Sequence, residues 1–152
     1  MAGLFFAYSY SVNLGLGRLS NADYIAAMQS INKAIQNPIF FIVFFGTLIL
    51  MPISTYLNYG QPTTIRFWCL LIALLIYIIG VLGVTVLGNV PLNESLNVFT
   101  INSATSDEIS IQRIKFEGPW NKWNMVRTIA SIMALLLVLI ACLNAPKLSP
   151  PN

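Results

Sequence analysis

The sequence contains no histidine. The commonest metal ligand, and the side chain best suited to proton transfer near neutral pH, is therefore missing. It has two cysteines, Cys69 and Cys142, far apart and each inside an apolar run. That spacing is not a metal signature, and both are expected to be small buried apolar side chains. Charge is also scarce. Charged residues make up 9% of the chain, against roughly 25% in a soluble domain. This argues against a soluble enzyme. Eight Lys and Arg against five Asp and Glu leave a net charge of +3, too little for a phosphate-tracking surface. No Gly-rich nucleotide loop is present. What the chain does have is apolar residues, 57% of the total, with a mean hydropathy of +0.74. Disorder requires the opposite balance. A small membrane protein remains.

The gaps between charges give its architecture. No Asp, Glu, Lys or Arg occurs in residues 1–17, 34–65, 67–93 or 128–146. A helix needs about 20 apolar residues to cross the hydrocarbon core. The last three gaps contain spans of that length, at about Pro38–Leu57, Phe67–Gly88 and Met125–Leu143. Residues 1–17 lack the basic start of a signal peptide and carry Tyr8, Ser9, Tyr10, Ser11 and Asn13. They are read as a first transmembrane helix whose natural start lies further upstream. A native N-terminus at Met1 would overturn that expectation.

The expected fold is all-α. It is a four-helix membrane bundle forming a single domain, with one amphipathic helix and one long polar loop. Arg18, Lys33, Arg113, Lys115, Lys122 and Arg127 fall on one side of such a bundle, and Arg66 and Lys147 on the other. The positive-inside rule then puts both termini outside, across the cell membrane if the source is bacterial. Membrane lipid is the expected partner, with a lipophilic small molecule, and no nucleic acid.

Ser20 followed by Asp23 reads as a helix start. Tyr24, Met28, Ile31 and Ile35 then repeat as one apolar face, with Gln29, Asn32, Lys33 and Gln36 on another. Asn37-Pro38 restarts the chain as a new helix. Gly80, Gly83 and Gly88 allow a close helix approach. Residues 58–62 form a turn. Ser106-Asp107-Glu108 starts a helix, Gly118-Pro119 interrupts it, and the tail from Lys147 is loose.

Three constellations could carry chemistry. Trp120, Trp123, Asn124 and Arg127 stand at i, i+3, i+4 and i+7, with Thr128 and Ser131 alongside. Two flat aromatics, an amide and a fixed cation suit a flat anionic or phenolic ligand. An interfacial aromatic belt with a snorkelling arginine is the plainer alternative. Asn89, Asn93 and Asn97 align on one face beside Glu94 if the helix runs through Pro91. They would either bond a neighbouring helix or handle a ligand or proton. Arg113 and Glu117, at i and i+4, would pair, or Glu117 would be a tuned base. No residue set suggests a metal or cofactor.

Residues Ala27–Lys33 with Asn37-Pro38, then Asn89-Val90-Pro91-Leu92-Asn93, Trp120–Asn124 and Arg127-Thr128 resemble the anthrone oxygenase family. Gly3–Ala7 with Ser9 resembles its first helix. Asn13-Leu14-Gly15 departs from it, since a proline is common there. The resemblance implies a small four-helix membrane protein. For some members it also implies oxidation of anthrones to anthraquinones without metal or flavin. On that basis Glu94 or Glu117 would be the base, and Arg127 or Arg113 would stabilise an enolate. Trp120 and Trp123 would stack on the ring, and Asn89, Asn93 and Asn124 would orient its oxygens. A non-catalytic ligand-binding or transport helper, or an accessory subunit of a membrane complex, are the competing expectations.

Overall fold

The computed structural model describes residues 1–60 and 62–144. Gln61 of the expected turn and the expected loose tail from Lys147 lie outside the described residues. Five helices account for nearly all of the rest, with no strand among the described residues. They are α1 (residues 2–16), α2 (Asn21–Ala34), α3 (Pro38–Leu57), α4 (Ile65–Asn97) and α5 (Ser106–Leu143). The chain is an all-α membrane bundle. Helices α3, α4 and α5 are long and apolar enough to cross a bilayer. Helix α1 rises at most about 22 Å, short of the roughly 30 Å hydrocarbon core, and packs along α5.

Local chemistry starts each helix. The Ser20 hydroxyl accepts the Asp23 backbone N–H. Asn37 and Thr64 cap α3 and α4 in the same way, with Pro38 in the first turn of α3. Thr105 caps α5 and forms a reciprocal capping box with Glu108, whose carboxylate accepts the Thr105 N–H at 2.7 Å. That backbone bond, and then the Thr105 hydroxyl, hold the Glu108 carboxyl below its usual range. A depressed folded pKa stabilises above the unfolded value and is lost as pH falls through the folded one. Amide exchange at residues 106–109 is therefore expected to accelerate as pH drops below the ordinary carboxylate range. Unchanged relative protection of that turn from pH 6 to pH 3 would contradict this.

Gly118-Pro119 does not interrupt α5, which runs unbroken for 38 residues. The proline removes the donor to the Lys115 carbonyl, but Lys115, Gly118 and Pro119 are exposed, so water can serve that carbonyl. The rings of Phe116 and Trp120 stack across the proline, 6.2 Å between centroids. Of the polar segment 89–122, only residues 98–105 form a connection, with a short 3₁₀ turn at Ile101–Ser103. Helix α4 continues through Pro91, preceded by π-helical turns at Ile78–Gly83 and Thr85–Asn89. A third lies in α1 at Tyr8–Val12.

Helices α4 and α5 run antiparallel in close contact. A Cβ on Gly80 would come within 2.6 Å of the Ala130 Cβ, and one on Gly88 within 2.8 Å of the Trp123 indole. Gly83 meets only its own helix, at the Ile78 carbonyl. Gly80→Ala is expected to cost about 1–3 kcal/mol by overpacking. Adding Ala130→Gly should restore most of it, read as recovery of the melting temperature in detergent.

Two apolar clusters form the core. Tyr24, Ile25, Met28, Leu96, Phe116 and Trp120 pack beneath α2. Phe5, Phe44, Tyr77, Val81 and Ala130 pack between α1, α3, α4 and α5. Helix α2 is rotated from its expected face. Tyr24, Met28, Ile25 and also Asn32 are buried, while Ile31 and Ile35 are half-buried. The Gln29 amide explains the rotation. It donates to the Leu96 and Phe99 carbonyls, both at 2.8 Å, serving the C-terminal end of α4, where helix carbonyls lack internal partners. The cysteines are not buried as expected. Cys69 is half-buried and Cys142 exposed, because their positions face outward from the bundle.

Candidate functional site

The middle of α5 builds the site's polar centre. Asn124 and Arg127 are one turn apart and both buried. The Arg127 guanidinium donates to the Asn124 side-chain oxygen at 2.9 Å and to the Thr85 hydroxyl at 3.4 Å. Asn124 in turn donates to the Ser9 hydroxyl at 2.8 Å and the Phe5 carbonyl at 3.3 Å. Ser9 and Thr128 share a hydrogen bond of 2.9 Å. Helix α1 is thus held against α5 by hydrogen-bonded polar groups. The guanidinium lies over the Phe5 ring, 4.6 Å from its centroid, and 5.6 Å from that of Trp120.

Arg127 is 7% exposed and has only neutral partners. The one ion pair among the described residues is Arg113–Glu117, elsewhere. Burying a cation without a counter-ion is costly. A planar guanidinium so placed is a ready partner for an anionic oxygen.

A cavity of about 650 Å³ opens beside it. Phe5, Phe40, Phe44, Leu82 and Trp120 give it apolar walls, and Phe41, Phe45 and Val86, all exposed, stand at its margin. Tyr8, Asn32, Asn89, Asn93 and Arg127 add polar groups to its lining. Glu94 is exposed and is the carboxylate among its lining residues. The Trp120 indole donates to the Asn93 side-chain oxygen at 2.8 Å, which fixes the indole plane. Asn89 is fully enclosed, its amide 3.5 Å from the Trp120 carbonyl.

Of the residues expected in a site, Asn89, Asn93, Glu94, Trp120, Asn124 and Arg127 meet at this cavity. Trp123, Arg113 and Glu117 do not. Trp123 turns outward and packs on Gly88. Arg113 pairs with Glu117 at 2.7 Å and donates to the Gly17 and Leu19 carbonyls. It also covers the Tyr24 ring at 4.5 Å. Burial, and then the Glu117 carboxylate, push the Tyr24 hydroxyl upward from its ordinary value. That ring therefore stays a neutral platform for the cation. Glu117 also lines a separate recess of about 400 Å³ with Asn13, Arg18 and Asn121.

Phe5, Tyr8, Asn32 and Thr85 are among the lining residues that were not expected. Thr85 had a signal, since a hydroxyl at membrane depth needs a reason. Asn32 had none, because its helical position matches a solvated face. No three of Cys, Asp and Glu gather as a metal-ligand group among the described residues.

The sequence model of the anthrone oxygenase family matches residues 40–137. No curated protein and no solved structure matches the chain. The matched stretch runs from the start of α3 to near the end of α5. It includes Thr85, Asn89, Asn93, Glu94, Trp120, Asn124 and Arg127, but not α1 or α2. It covers well over half of the 152 residues, so the chain belongs to the anthrone oxygenase family.

Proposed function

We propose that the cavity binds a flat lipophilic substrate with an ionisable oxygen and oxidises it with molecular oxygen, without a cofactor. The observation that carries this reading is Arg127, a buried cation with no carboxylate partner, facing aromatic walls. An anthrone fits that description. Glu94 takes a proton from the ring CH₂ group, and the charge moves to the ring oxygen as an enolate. Arg127 holds that oxygen, and stabilising charge as it develops is a large catalytic term. Asn124 keeps the guanidinium in place, while the aromatic wall residues flank the ring. The enolate carbon supplies the electrons that reduce oxygen. A C–O bond forms, giving a hydroperoxide, and loss of water leaves a carbonyl. One CH₂ group and one O₂ become one C=O and one water.

The charged α2 side of the bundle faces the cytoplasm in this reading. Arg18, Lys33, Arg113, Lys115 and Lys122 lie there, against Arg66 at the opposite end of α4. The cavity margin at Phe41, Phe45 and Val86 lets a lipophilic substrate enter from the bilayer.

Oxygen uptake by the detergent-purified chain with anthrone tests the reaction. One O₂ should be consumed per anthraquinone formed, above the detergent blank. Saturable anthrone binding with no uptake above the blank would overturn catalysis and leave a carrier.

A further inference from the structure

We infer that the recess between α1 and α5 binds one phospholipid whose headgroup carries both a phosphate and a primary ammonium, a phosphatidylethanolamine. The recess shares no lining residue with the cavity beside Arg127, so lipid binding there stands apart from the oxidation proposed above. Its volume, about 400 Å³, lies within the range of small-molecule sites.

Helix α1 runs antiparallel to this part of α5. Ser9 bonds Thr128, whereas the Gly17 carbonyl accepts from Arg113. The recess therefore has two unlike ends. One holds Gly17, Arg18 and Glu117, and the other Ser9 and Met125. Glu117 and Met125 are about 12 Å apart along the helix axis. The Met125 end borders the charge-free stretch that starts at residue 128. The exposed Leu14 and the half-buried Met125 supply apolar lining. Tyr10 is exposed, with its hydroxyl 4.0 Å from the Met125 sulfur, a placement that suits a tyrosine at a membrane interface. The recess thus passes from charged to apolar as a lipid does, from headgroup to chains.

Arg18 and Glu117 line it without pairing with each other. Arg18 is exposed and forms no ion pair among the described residues. Glu117 gives Oε2 to Arg113 at 2.7 Å, and Arg113 is not a lining residue. The other oxygen, Oε1, lies 3.6 Å from where a Cβ on Gly17 would stand, so glycine there keeps it reachable. A cation and a carboxylate oxygen left open in one recess match a ligand with both charges. The phosphate meets Arg18, the ammonium donates to Glu117 Oε1, and Asn13 and Asn121 offer amides to the ester oxygens between them. Choline has the same charge but no N–H to donate. A glycerol headgroup can donate but carries no cation.

The full-length chain in detergent is mixed with dioleoyl phosphatidylethanolamine, phosphatidylcholine or phosphatidylglycerol, which differ only in headgroup. Bound lipid is counted by native mass spectrometry. The ethanolamine lipid should bind about two- to fivefold more tightly than either comparator, the scale of one solvent-exposed charge pair. Glu117→Gln should remove that preference while leaving the other two lipids unchanged, whereas a merely structural role would weaken all three alike. Arg18→Gln should weaken all three about fivefold, since each carries the phosphate. Lys122→Gln, an exposed cation outside the recess, should change nothing.

Equal affinity for the three lipids in the wild type overturns the proposal, as does a preference for phosphatidylglycerol, and neither comparison needs a variant to fold. A preference that survives Glu117→Gln, or a Lys122→Gln loss equal to that of Arg18→Gln, also overturns it. Glycerophosphoethanolamine, which has the headgroup without chains, should not compete at the same concentration. Equal competition would overturn the assignment to a lipid.

Discussion

Glu94→Gln lowers anthrone oxidation by about 10²–10⁴-fold near neutral pH, the usual contribution of a positioned base. The amide has nearly the shape of the carboxylate but cannot take the proton. Because Glu94 is exposed at the cavity margin, its replacement leaves the melting temperature unchanged. The loss is conditional. Above the pKa of the substrate itself, the enolate arrives preformed and the variant approaches the wild-type rate. A fixed deficit at every pH would exclude Glu94 as the base. Glu117→Gln changes the rate little by comparison, since that carboxylate sits outside the cavity on Arg113.

Arg127→Met lowers the same turnover by roughly 10²–10³-fold, the scale seen when one charge-stabilising donor is removed. Unlike the Glu94 deficit, this one persists at high pH, because a preformed enolate still needs its counter-charge. Methionine keeps much of the side chain's length and its contact with Phe5 and Trp120. It also removes an uncompensated buried charge, so the variant is expected to be at least as heat-stable as the wild type. Lysine does not restore activity, because one ammonium cannot reach Asn124 and Thr85 in the guanidinium's planar geometry. A fully active Arg127→Met protein would remove the site's central assignment.

The site was partly legible in the sequence. Trp120, Asn124 and Arg127 follow helical spacing on a helix that does not break, so their shared face carried over directly into the structure. Asn89 and Asn93 required α4 to continue through Pro91, and it does. Trp123 failed the same spacing argument. It stands at the edge of that face, and Gly88 opposite offers a flat seat that draws the indole outward. Glu117 sits ten residues before Arg127, too far along the helix axis to reach one ligand with it. The π-helical turns had no signature, since one extra residue in a turn changes neither composition nor hydropathy. Yet the one at Thr85–Asn89 carries both Thr85 and Asn89. Burial of Asn32 was equally invisible, because the roll of α2 is set by the carbonyls at the end of α4 that Gln29 must serve.

The hydrogen bonds that join α1 and the connection after it to α5 link residues very distant in sequence: Ser9 and Thr128 are 119 apart, Arg113 and Leu19 are 94 apart. During synthesis, α1 emerges from the ribosome long before its partners exist. Its hydroxyls and its open C-terminal carbonyls must wait at the edge of the bilayer until α5 is translated. The cavity, lined by Phe5 and Tyr8 of α1 and by Arg127 of α5, is therefore among the last features to form. A nascent chain stalled before residue 113 would carry three hydrophobic helices and no site at all, a natural substrate for membrane quality control.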